Sequence, residues 1–201
     1  ITQNAGSATI QGGNIDLVAL VGDAGRFNLF AEYTDATYDK FRYDTAYSIF
    51  GSPLFNPAST GCGVGSPFAG PMFGTELVNI NCDGFQLPRS PKWAASAGYD
   101  HTFTFGDAST LNAAVNMQYA SARWLNFDYV KPERVSAYTV FDFDLTYMPA
   151  GGHWSVAGYV HNIGNEAVYT GGGEQAFVPP LVYATINAPR TVGIRVRYDI
   201  H

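Results

Sequence analysis

Asp142 and Asp144 stand two residues apart in an alternating stretch around 135–148, so they share a face, as a pair of carboxylates doing acid/base hydrolysis would. Their neighbours on that face are Val140 and Thr146, with no sign of a cleft, and a hydrogen-bonded polar network is the expected role. Arg195 and Arg197, again two apart, are natural partners for such carboxylates; a path for an anionic solute is their second use. His101, His153, His161 and His201 never fall at metal-ligand spacings. Gly171-Gly172-Gly173 runs into Glu174 and Gln175, without the lysine or helix of a phosphate loop. Cys62 and Cys82 lie in one Gly-, Pro-, Ser- and Asn-rich stretch and are expected to form a disulfide in an oxidising compartment, ahead of two free thiols or a metal site. These residues give no expectation of an enzyme, a cofactor or a metal.

The elements that must hold these residues are strands. Val192, Ile194, Val196, Tyr198 and Ile200 alternate with Gly193, Arg195, Arg197, Asp199 and His201, an apolar face against a charged one. Phe141, Phe143 and Leu145 likewise oppose Asp142 and Asp144, and Leu111, Ala113, Val115 and Met117 oppose Asn112, Asn116 and Gln118. Similar alternation runs through Trp93–Phe105 and Phe27–Thr34. A first strand covers about 7–21, with an easy bend at Gly12-Gly13, and a further one covers 154–163, whose faces are ambiguous. The count is seven strands and no convincing helix.

Composition says that one of these faces is not wet. Charged residues make up 14% of the 201, against roughly 25% in soluble domains, and the only lysines are Lys40, Lys92 and Lys131. No apolar run approaches the roughly 18 residues of a membrane-crossing helix. The net charge of −6, without a basic cluster, argues against nucleic acid. Tight turns at 22–25, 106–109 and 149–153 alternate with long links at 41–90, roughly 122–134 and roughly 165–189. Strands long enough to cross a bilayer, short turns at one end and long loops at the other are the pattern of a transmembrane β-barrel. Trp93, Phe105, Trp124, Phe127, Tyr147, Trp154 and Tyr169 are placed for aromatic girdles. Phe50, Phe55, Phe68, Met72 and Phe73 of the 41–90 loop could form an apolar lid, or pack against adjacent loops.

The segments NAGSATIQGGNIDLVAL (Asn4–Leu20), FAEYTDATYDKF (Phe30–Phe41), LPRSPKWAASAGYDHTF (Leu87–Phe103), VHNIGNEAVYT (Val160–Thr170) and APRTVGIRVRYDI (Ala188–Ile200) resemble, in order and spacing, the C-terminal barrel of TonB-dependent outer-membrane receptors. The resemblance implies a barrel of about 22 strands closed by an N-terminal plug. Residues 1–201 would supply its last seven strands, with 41–90 as a long extracellular loop and the plug absent from the chain. It further implies active uptake of a scarce solute, such as a ferric siderophore, cobalamin or an oligosaccharide, driven through the plug by the TonB complex.

Short turns in the periplasm would put the C-terminus there too and leave Ile1 outside, at a sheet edge that other strands must cover. Ile1 is neither a methionine nor part of a signal peptide, so a piece of a longer chain is expected. His201 falls out of phase with the usual aromatic ending, so one further residue is expected after it. Under this reading Phe141, Phe143, Leu145, Val192, Ile194, Val196, Tyr198 and Ile200 face lipid. Asn112, Asn116, Gln118, Asp142, Asp144, Arg195, Arg197 and Asp199 face the lumen and plug. A passive porin-like or binding barrel, and a soluble ligand-binding β-barrel, are the alternatives; the solute itself is not legible.

Overall fold

Strand alternation becomes structure when neighbouring strands agree on phase. The computed structural model describes residues 6–174 and 182–200, which leaves His201 outside the described residues. Seven strands, β1 (Ser7–Val21), β2 (Gly25–Lys40), β3 (Trp93–Thr104), β4 (Thr110–Ala120), β5 (Tyr138–Met148), β6 (Trp154–His161) and β7 (Thr191–Tyr198), pair antiparallel in chain order. The register carries one row across all of them: Ala19, Phe27, Tyr99, Val115, Phe143, Val160 and Val192 stand side by side. The adjacent row on the other face holds Asn28, Gly98, Asn116 and Asp142. The sheet is therefore two-faced throughout, and the 154–163 stretch places Val156, Gly158 and Val160 on the apolar side. It is an open sheet, with β1 and β7 as its edges.

The short connections are built by local chemistry. At 105–109 the Asp107 carboxylate accepts from the Ser109 amide (3.0 Å) and hydroxyl (2.6 Å), and the Phe105 amide closes the turn on the Ser109 carbonyl (2.9 Å). Those Ser109 bonds hold the Asp107 carboxyl below its ordinary range. At the β5–β6 turn Gly151 and Gly152 both take positive φ (88° and 66°), a conformation that costs a side chain.

The long links are not bare loops, which departs from the sequence reading of 41–90. Arg42–Ile49 pairs with Thr75–Asn81 in a second sheet that adds Ser52–Pro53, Gly63–Val64 and Phe68–Ala69. The link after β4 pairs Arg123–Trp124 with Arg134–Val135, and the link after β6 pairs Tyr169–Glu174 with Val182–Ile186. The glycines and prolines between these short strands break the alternation that would reveal them, and their pairing is with distant residues. Among the described residues the helical content is two single 3₁₀ turns, Pro57–Ser59 and Lys131–Glu133.

The described core sits in these links, not in the wall. Phe41, Cys62, Val78, Ile80, Cys82 and Tyr129 form one buried cluster, and Leu125, Val135 and Val168 another. The Cys62–Cys82 disulfide forms within the first, with Cα atoms 5.0 Å apart. Trp124 and Phe127 pack against that cluster as well, so these two strand-end aromatics serve the cap and no girdle. In contrast, the apolar wall residues Val192, Ile194, Val196, Tyr198 and Ile200 are 67–88% exposed.

Candidate functional site

The three long links converge over the polar face at the loop end of the wall. Beneath them lies a cavity of ≈ 620 Å³, in the range of small-ligand sites. Its floor is Phe30, Ser96, Gln118 and Tyr138 of β2 to β5; its roof is Arg89 and Pro91 of the first link, Arg123 and Leu125 of the second, and Thr170 of the third. The links dock there through buried contacts. Leu125, Val135 and Val168 pack against Tyr138 and Val140 of β5, and the Leu87 amide donates to the carbonyl of buried Ala36 in β2 (2.9 Å).

The first two links are also tied to each other. The Gly61 amide donates to the Asp128 carbonyl (2.7 Å), the Arg89 amide to the Trp124 carbonyl (2.7 Å), and the Tyr129 hydroxyl to the Gln86 carbonyl (2.7 Å). Burial pushes the Tyr129 phenol up and the Tyr43 phenol up to about 12, the latter aided by the charge of Asp128. Arg42 and Asp83 form an ion pair at the exposed rim of this cap, and it holds the Asp83 carboxyl below its ordinary range.

The residues expected on the polar face do share it, but they are not gathered into one site. Asn112 donates to the Thr102 hydroxyl (3.0 Å), and Asn28 and Asn116 converge over Gly98, whose missing side chain leaves room for both amides. Asp142 accepts from the Asn162 amide (2.7 Å) and lies 3.7 Å from the His161 ring, so its carboxylate is committed to the exit of β6. Asp144 stands opposite Ala114 and Tyr159. Arg195 lies over the Tyr159 ring at 5.5 Å, and Arg197 pairs with Asp199 at 3.0 Å, far in register from Asp142. Of the expected set only Gln118 lines the cavity.

The expected apolar set is equally consistent in phase. Phe141, Phe143 and Leu145 stand opposite Met117, Val115 and Ala113, and Ile194 and Val196 opposite Gly158 and Val156. The apolar lid is only partly recognisable. Phe55 packs against the cap core, Phe50 and Phe68 line a separate hollow of ≈ 400 Å³ at the loop tip, and Met72 and Phe73 project outward, 70% and 93% exposed.

Arg89 and Arg123 went unnoticed in the sequence. Each sits where a link meets a strand, and an arginine at such a junction is the signal that could have drawn attention to it. Arg123 stacks on the Tyr138 ring at 5.3 Å, and Arg89 holds its backbone at φ 61°, a left-handed conformation rare for a residue with a side chain.

One solved structure similar in fold is the ferric yersiniabactin uptake receptor FyuA from Yersinia pestis: TM-score 0.69, 16% identity, covering 98% of this chain and 24% of that one. BauA, the ferric preacinetobactin receptor from Acinetobacter baumannii, gives a TM-score of 0.47, too low to support a shared fold by itself, at 18% identity over 96% of this chain and 29% of that one. The chain thus spans about a quarter of the length of the solved receptors it matches. No curated protein matches it in sequence. The family model for the TonB dependent receptor-like β-barrel matches residues 1–163, most of the chain. The two-faced seven-stranded wall with its capping links is therefore part of an outer-membrane barrel, and the chain belongs to the TonB-dependent receptor family.

Proposed function

We propose that the chain forms a seven-stranded part of the barrel wall of a receptor that actively takes up a scarce solute, a ferric siderophore being the leading class. One observation carries the orientation: all three long links fold over the polar face, while the apolar face is left bare. A capped polar face is what a lumen needs, and a bare apolar face is what lipid needs. Phe141, Phe143, Leu145, Val192, Ile194, Val196, Tyr198 and Ile200 then face lipid. Asn112, Asn116, Gln118, Asp142, Asp144, Arg195, Arg197 and Asp199 face the lumen and the plug.

In this reading the links at 41–90, 122–134 and 165–189 are extracellular, the short turns and the C-terminus are periplasmic, and the remaining strands and the plug complete the barrel. The cap captures solute in the cavity, and the plug, pulled by the TonB complex, releases it inward. Nothing in the wall needs to do covalent chemistry. The test is uptake by whole cells carrying the complete receptor, with iron-loaded siderophores, cobalamin and oligosaccharides as labelled solutes. Uptake of one solute that is lost both on deleting the receptor and on inactivating TonB is the expected result. Uptake that survives TonB inactivation would mean a passive channel.

A further inference from the structure

We propose that the cavity beneath the three links is an anion-selective site, in which Arg89 and Arg123 grip carboxylate or phenolate oxygens of the solute. The receptor would then take negatively charged ferric complexes in preference to neutral solutes. This rests on the uptake reading and narrows its substrate.

The chain is acidic, with net charge −6, yet the residues lining this cavity include two arginines and no carboxylate. Neither guanidinium takes part in the ion pairs Arg42–Asp83, Lys92–Asp35, His161–Asp142 and Arg197–Asp199. Glu32, which stands opposite Ala94 in the register, instead accepts from the Thr34 hydroxyl (2.8 Å). Two arginines in one hollow whose lining holds no carboxylate favour an anionic guest, and planar guanidinium forks match carboxylate and phenolate oxygens better than a point charge does.

Both arginines are held in place before any solute arrives. The Tyr138 ring supports Arg123 from below. Arg89 is held by the hydrogen bond its backbone amide donates to the Trp124 carbonyl, in a left-handed backbone conformation that costs energy, and such strain persists where surrounding structure enforces it. Its side-chain Nε donates to the Leu125 carbonyl at 3.4 Å, a long bond that leaves most of the fork available. Phe30, Pro91, Leu125 and Tyr138 give the same cavity apolar surface, so an aromatic framework fits alongside the charge.

The experiment is equilibrium binding to the complete purified receptor, read by quenching of its intrinsic fluorescence. Four probes serve: a ferric tris-catecholate, ferric citrate, an uncharged ferric trihydroxamate and cobalamin. The expected result is binding of an anionic probe at least tenfold tighter than either uncharged one, weakened by salt. Preference for the tris-catecholate assigns aromatic phenolates as the source of the charge, and preference for citrate assigns carboxylates.

Arg89→Gln and Arg123→Gln should each cost about tenfold in that affinity, and Arg89→Lys and Arg123→Lys less, with folded barrel confirmed by heat-modifiable gel mobility. Equal or tighter binding of an uncharged probe, no binding of either anion, or unchanged affinity in a folded Arg89→Gln/Arg123→Gln double variant would overturn the proposal. Binding needs no energy source, so a receptor that binds anions but transports nothing through TonB would overturn the uptake reading and uphold the charge selectivity.

Discussion

Tyr33 and Trp93 pack on the apolar face with ring centroids 4.9 Å apart, and the ion pair of Asp35 with Lys92, at 3.0 Å, lies just beyond them toward the long links. Apolar surface thus gives way to charge within one strand step, flanked by the amphipathic rings that favour a bilayer interface. At the turn end Tyr147 and Trp154 make a second such pair, 5.9 Å apart. Between these levels runs the row that contains Phe27, Val115, Phe143 and Val160.

Phe143 is near the middle of that band, and its neighbour Asp144 points to the other face. Phe143→Arg should destabilise the inserted barrel by roughly 2–4 kcal/mol and cut its heat-modifiable folded fraction, because lipid offers the charge no solvation. Asp144→Asn should leave that fraction close to wild type. Equal tolerance at both positions would reverse the proposed orientation.

The Cys62–Cys82 bond closes a loop of 20 residues within the cap. Restricting the opened ensemble of such a loop is worth about 3 kcal/mol in the chain-entropy view. Cys62→Ser/Cys82→Ser, or reduction of the native bond, should speed proteolytic nicking between residues 63 and 81 while the heat-modifiable shift of the wall is retained. Wall and cap melting together in the double variant would show that the bond supports the whole barrel.

The wall was legible because a two-residue period sustained over eight to sixteen residues leaves one choice of phase per strand, except at 154–163, where only the register with β5 and β7 decides the faces. Even Asp142 and Asp144, the most suggestive pair for catalysis, could be assigned a polar-face role from Val140 and Thr146 beside them. The cap was not legible for the opposite reason. Val78 and Ile80 are fully buried, but they belong to a seven-residue strand whose partner at 42–49 lies across a run of glycine and proline. Arg89 and Arg123 become neighbours of one cavity only when two links dock on each other, a fact that no local pattern encodes.

Tyr43 packs edge-on against Phe127, 6.1 Å between centroids, and burial pushes its phenol up to about 12. A phenol whose folded pKa is raised stabilises the fold fully below the unfolded value near 10, and that stabilisation is lost as pH rises toward the folded value. Cap protection from proteolysis should therefore decline between about pH 10 and pH 12. The difference in tyrosinate absorbance between wild type and Tyr43→Phe should titrate near the top of that window. A difference titrating near pH 10 would mean that Tyr43 is open to water.

Asn162 is 5% exposed and ties the exit of β6 to its surroundings. Its amide donates to Asp142 (2.7 Å), its side-chain nitrogen to the carbonyls of Glu166 (2.9 Å) and Ala188 (3.1 Å), and its side-chain oxygen accepts from the Glu166 amide (2.8 Å). It does this at φ 52°, where asparagine is among the few residues tolerated. Asn162→Ala loses three part-buried side-chain bonds and keeps the backbone strain, a cost on the order of 2–3 kcal/mol. Asn162→Gly loses the same bonds but relieves the strain, so it should be less damaging by about 1 kcal/mol. Urea unfolding of the complete receptor in lipid vesicles measures both. If glycine proved as harmful as alanine, the hydrogen bonds alone would carry the junction; if alanine were harmless, the third link would be anchored elsewhere.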